Sequence, residues 1–239
     1  MRRWGAFASF LPDRSSPRKA APPAMKVPRA RAPMPDSFLP CTWQPVSGCE
    51  ECQVSGKLMC RFEGRDMLHF FMIILPFAVT VIAGTIVAGF GWYLLLWLAY
   101  SLLFFFVWEA RVLCRHCPYW AGPGQMLRCH ANYGVLKLWK YEPGPMSQAE
   151  RTQFGIGALI WVGFPFLFLL LGQEYLLALI GLCAALSEIF LLRRNVCSRC
   201  INFSCPMNSV PKPLVDAYLR RNPDIQAAWE RSGYRLENL

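Results

Sequence analysis

The chain has 239 residues, 54% of them hydrophobic and only 17% charged, with a formal net charge of +10. That is too apolar and too poor in charge for an ordinary soluble domain, which points to the membrane. The positive charge comes with no nucleic-acid motif, and no phosphate-binding glycine loop, nucleophile elbow or zinc-protease helix is present. Nucleic-acid binding and the common hydrolase chemistries are therefore not expected.

Residues 1–40 are rich in Pro, Arg and Ala and lack the apolar core of a secretory signal. So little apolar surface cannot offset the entropy of ordering, and a disordered basic tail is expected. The composition also suits an organelle transit peptide, or a start placed upstream of Met25 or Met34, so residues 1–33 need not belong to the working protein. Residues 41–66 hold a first cysteine cluster. From Met67 to Trp108 the chain runs 42 residues without a formal charge. As one helix this would be about 63 Å long, about twice the thickness of a hydrocarbon core, so it must fold back. Gly89-Phe90-Gly91 is the natural turn, giving spans Leu68–Ala88 and Trp92–Trp108 in a hairpin over 67–110.

A second polar, cysteine-rich loop covers 111–146. Ser147 and Glu150 then have capping-box spacing, which starts the third helix near Ser147. The second hairpin, 147–192, has spans Phe154–Leu171 and Tyr175–Leu192 around Gly172-Gln173-Glu174. Residues 193–239 carry the last cysteine cluster and two short amphipathic stretches, Leu214–Arg221 and Ile225–Arg231. These are expected to lie on lipid headgroups or to cover a metal site. The fold class is thus an all-α integral membrane protein, four transmembrane helices in two hairpins, with cysteine-rich metal-binding loops on one face.

Charge orients it. Eleven Lys and Arg residues precede the first span, six lie between the second and third spans and eight in the tail. The two short turns carry none. By the positive-inside rule both termini and the long loop face the cytoplasm, in a cytoplasmic or inner membrane. The bilayer, with its anionic headgroups, is the first partner.

Ten of the eleven cysteines fall in the three polar segments, each built on a Cys-x-x-Cys pair. The first set is Cys41, Cys49, Cys52 and Cys60. The second is Cys114 and Cys117 followed by Cys129 and His130, with His116 or His130 available as a fourth ligand. The third is Cys197, Cys200 and Cys205. Such turns place two thiolates on one metal, and flanking cysteines close a tetrahedral set. Alternatively, Cys114/Cys117 and Cys197/Cys200 pair across a weak internal repeat into one four-thiolate site. Zinc accepts these spacings, and would order loops too short for a core. Cys-Pro at 117–118 and 205–206 favours iron–sulfur ligation, since Pro follows the last Cys of a ferredoxin-type run. Disulfides do not suit a reducing face.

The leading expectation is a membrane electron-transfer component, linking a soluble electron donor to a membrane partner or quinone. The alternative is a zinc-stabilised scaffold. A third reading rests on resemblance: in helix number and Cys-x-x-Cys pairs the chain is similar to the quinone-linked disulfide-forming enzymes, which implies a membrane thiol oxidoreductase. Their working cysteines lie on the oxidising side, opposite to that assigned here by charge. Glu109 and Glu188, near helix ends, are read as reaching interfacial water and as pairing with Arg193 or Arg194, respectively; the sharper reading is a proton or quinone site. Cys183 is read as a packing residue. The aromatic run Phe104-Phe105-Phe106, with Trp92, Trp97, Trp108 and Trp120, is read as lipid contact and interface anchoring.

Overall fold

A computed structural model describes residues 39–50 and 52–237. The expectation for the Pro-rich start therefore lies, apart from Leu39 and Pro40, outside the described residues. Among the described residues four helices are long and apolar enough to cross a membrane. Gly64–Val87 (α1) leads through a turn to Tyr93–Leu103 (α2). That helix continues without a break through a π-helical turn, Phe104–Trp108, into the short helix Glu109–Val112 (α3). Gln148–Leu171 (α4) and Tyr175–Leu192 (α5) form the second hairpin, and α5 also ends in a π-helical turn, Arg193–Cys197. At 24 residues, α1 is about 36 Å long, enough for a hydrocarbon core.

The second span runs to His116 rather than ending at Trp108. Glu109 does not terminate it, because the carboxylate finds a partner in Asn132 at 3.0 Å. Ser147 does cap α4: its hydroxyl accepts the Glu150 amide and the Glu150 carboxylate accepts the Ser147 amide at 2.8 Å. Both hairpin turns fall where expected. Gly89 takes φ +82° and Gln173 φ 61°, left-handed conformations that reverse the chain in a few residues.

In the bundle α1 packs against α5 and α4, and α2 against α4. Polar contacts replace the hydrophobic drive that lipid cannot supply. Trp97 donates to the Trp161 carbonyl at 2.9 Å, Trp161 to Ser101 Oγ at 2.8 Å and Tyr100 to the Gly157 carbonyl at 3.0 Å. Gly157 admits the Phe104 ring directly against the α4 backbone. Trp97, Phe104 and Trp120 are therefore buried packing residues, not the lipid contacts expected: Trp97 and Phe104 meet rings of α4, and Trp120 donates to the Trp139 carbonyl within its own loop. Cys183 is the reverse case and faces outward from α5.

The three polar segments meet at the opposite end from the turns and share one core. Val54 and Leu58, Tyr119, Trp120, Leu127 and Val135, and Ile201, Tyr218 and Leu219 are all buried in it. Lys212–Arg220 (α6) and Pro223–Arg231 (α7) turn Val215, Ile225 and Trp229 into this core, so they close the cap rather than lie on headgroups. Among the described residues the cap has no strand, only an isolated bridge between Met126 and Leu136.

Candidate functional site

The cap gathers the ten cysteines of the three polar segments into two groups. The outer group comes from one segment. Cys41 opens a 3-10 turn, Cys49 closes another, Cys52 follows with its amide on the Cys49 carbonyl, and Cys60 returns from the loop beyond. All four line one cavity of about 230 Å³, together with Arg61, Arg199, Arg221, Glu63 and Asp66. Two sulfurs receive side-chain donors: Arg61 Nη2 lies 3.7 Å from Cys49, and Asn222 Nδ2 lies 3.4 Å from Cys41. Asn222 also accepts the Cys41 amide at 2.7 Å, which fixes this cysteine to the end of α6.

Burial pushes the Cys60 thiol up to about 12, reinforced by Cys41, Cys52 and Cys49 beside it. Burial likewise raises Cys41, partly offset by the Asn222 hydrogen bond. Both stay protonated at neutral pH unless a cation displaces the proton.

The inner group is assembled from two loops. Cys114 and Cys117 follow α3, at the end of the second span; Cys129 lies further along the same loop; Cys197, Cys200 and Cys205 follow α5. Cys129 lies within electrostatic reach of Cys114, Cys117 and Cys200, as does Cys117 of Cys200 and Cys114 of Cys205. Cys114 and Cys117 are buried. Thiols of both knuckles, Cys117 and Cys200, thus lie near Cys129, while Cys197 lies near Cys200 and Cys205.

A regular feature marks this group. At Cys117, Cys129, Cys200 and Cys205 the backbone amide two residues further on (Tyr119, Ala131, Asn202 and Met207) faces the sulfur and favours its thiolate. Burial still prevails and raises all four thiols, Cys205 to about 12. Asn132 Nδ2 donates both to Cys114 Sγ at 3.2 Å and to Glu109 Oε1 at 3.0 Å, so Glu109 reaches buried amide rather than interfacial water. Neither Asn132 nor Asn222 stands out in the sequence, where a polar residue in a loop carries no sign of its partner.

The histidines are placed otherwise. The ring of His130 lies 6.2 Å from Phe70 and 6.5 Å from Tyr119, edge-on to both, and burial lowers it from its ordinary value. Among the described residues its ring makes no hydrogen bond to a cysteine, although its backbone amide faces Cys129. His116 Nδ1 is 2.8 Å from the Gly144 carbonyl, and its Nε2 faces Arg115 and Glu150, so it braces the loop against α4. Glu188 on α5 is half-buried and, among the described residues, pairs with neither Arg193 nor Arg194.

Among the described residues no three His, Cys, Asp or Glu are drawn together closely enough to hold a metal ion. The outer four thiols line a common cavity without closing on a point. No family model, curated protein or solved structure matches the chain.

Proposed function

We propose that this membrane protein is an electron-transfer component that holds cysteine-ligated iron–sulfur centres in its cap, on the cytoplasmic side. The single observation that carries the reading is the convergence of ten cysteines from three distant segments into two groups at one end of the bundle. Four thiols around a 230 Å³ cavity suit a group of several atoms better than one zinc ion, whose ~2.3 Å bonds draw sulfurs into contact. Amides aimed at sulfur suit the same group, since hydrogen bonds to thiolate sulfur help set a cluster's potential. Cys41, Cys49, Cys52 and Cys60 would ligate an outer centre. Cys114, Cys117, Cys129 and Cys200, flanked by Cys197 and Cys205, would ligate an inner one next to the membrane. The one-electron donor is then soluble and the acceptor a quinone or membrane partner.

Anaerobic purification in detergent, with an absorption spectrum and iron, sulfide and zinc assays on one sample, tests this. Iron with matching sulfide and a broad visible absorption is the expected result. Stoichiometric zinc in a colourless protein would instead make the cysteines scaffolding for a cap that docks a partner.

A further inference from the structure

The mouth of the outer cavity carries an unbalanced charge. Three segments bring arginines to it: Arg61 from the outer segment, Arg199 from the loop after α5, and Arg221 from the end of α6. Two hydrogen bonds tie the other two segments to the outer one. The Met59 amide donates to the Arg199 carbonyl at 2.7 Å, and the Cys41 amide donates at 2.7 Å to Oδ1 of Asn222, the residue after Arg221. Each guanidinium is then held by one carbonyl of the cavity wall. Arg61 Nη2 donates to Gln44 at 2.7 Å, Arg199 Nη2 to Gly56 at 3.4 Å, and Arg221 Nη2 to Gly48. A guanidinium has five N–H donors, so these contacts fix its place and leave most of its donors and all of its charge. Among the described residues none of the three forms an ion pair, whereas Arg65, at the same cavity, pairs with Glu63 at 3.3 Å. Asp66 is then the remaining carboxylate among the described residues that line the cavity, against three guanidiniums.

Like charges held in a concave site repel one another and draw an anion to it, because low-dielectric walls focus their field. From this geometry we infer that the mouth of the outer cavity binds a phosphate group, carried by a lipid headgroup or by a soluble phosphate, with Arg61, Arg199 and Arg221 as its donors. Guanidinium forks match phosphate oxygens two at a time. The cavity, about 230 Å³, is several times the ~30 Å³ share of one water, so a tetrahedral oxyanion enters it. Arg65 and Asp66 bring the first turn of α1 to the same cavity, and α1 is long and apolar enough to cross the membrane, so the mouth opens at the level of the headgroups. The four outer thiols are half-buried while Arg199 and Arg221 are exposed, which sets the charge outside the sulfurs. A phosphate bound there bridges the three segments without displacing what the sulfurs hold. The site goes beyond the iron–sulfur reading and stands without it.

The test is made on the full-length protein purified in detergent. One arm titrates it calorimetrically with inorganic phosphate, against sodium chloride of equal ionic strength. The other adds phosphatidylglycerol or phosphatidylcholine and counts the retained lipid by native mass spectrometry. A single saturable phosphate site identifies a soluble phosphate as the ligand; retained phosphatidylglycerol, with phosphatidylcholine released, identifies a headgroup. In either case Arg199→Gln/Arg221→Gln should weaken binding by about tenfold or more, since two charge-assisted contacts are lost. Arg199→Lys/Arg221→Lys, which keeps the charge without the fork, should recover part of it. Arg111→Gln/Arg151→Gln, which removes two exposed arginines from other helices, should leave binding unchanged. Circular dichroism checks that each variant keeps its helices. No saturable binding of either probe by the wild type, unchanged binding in Arg199→Gln/Arg221→Gln, or equal weakening in Arg111→Gln/Arg151→Gln would overturn the site.

Discussion

The outer and inner thiol groups are built from the same residue type in two different ways. The outer four come from one stretch of chain, line an open cavity and take donors from side chains, Arg61 and Asn222. The inner six come from two loops, with Cys114 and Cys117 within the cap core and Cys129 against it, and at four positions face backbone amides. Amides fixed by the fold are present before any ligand arrives; an arginine side chain must be held in place. The inner group is therefore the more preorganised, and the outer the more accessible. One π-helical turn precedes Cys114 in the second span, and the other, following α5, ends in Cys197 itself. Such turns often occur at functional positions.

The sharpest way to break this comparison is to remove one thiol from each group. Cys200→Ser should abolish the inner centre and loosen the cap, since a ligand shared between two loops also holds them together. Cys49→Ser should remove the outer centre and leave the inner iron in place. Iron per chain and protease resistance of the cap separate the two outcomes.

Asp216 offers the next largest effect. It is 1% exposed and accepts from Lys212 at 2.7 Å, from Tyr234 at 2.7 Å and from the Glu237 amide at 3.1 Å. Asp216→Ala should cost about 2 kcal/mol and loosen the closing helices α6 and α7. Burial alone would raise its carboxyl, but these hydrogen bonds outweigh burial and hold it below its ordinary 3.8. The unfolded chain then binds the extra proton. The contribution is complete above pH 3.8 and is lost as pH falls through the lower folded value. Asp216→Asn should flatten that acid limb when Trp229 fluorescence follows unfolding.

A smaller change separates the outer segment from the inner loop. A Cβ at Gly122 would overlap the Trp43 indole, so Gly122→Ala should cost about 1–2 kcal/mol and displace Trp43. The outer centre should then be lost at lower denaturant than the inner one, where the wild type loses them together. Smallest is Ser147→Ala, about 1 kcal/mol from the lost cap. It also frees Glu150, which holds Arg115 at 2.6 Å, so it should loosen the inner loop first in hydrogen exchange.

Much of the bundle was legible because its signals are local. Charge-free runs, glycine turns and the Ser147–Glu150 box each act within a few residues of themselves. The second span escaped because Glu109 looks like a helix end until Asn132, 23 residues away, is brought to it. The cap core escaped for the same reason. Val54, Leu127 and Leu219 are unremarkable in three polar segments, and only their meeting makes a core. Spacing found the cysteines but left their pairing open, because Cys117 and Cys200 are joined by two helices and not by a motif.

Native mass spectrometry of the anaerobically purified, full-length protein tests the central claim most directly. The account predicts an intact mass above the bare chain by iron and sulfide for two centres, reduced to one in Cys49→Ser/Cys52→Ser. A mass equal to the bare chain, or increased only by zinc, would contradict it.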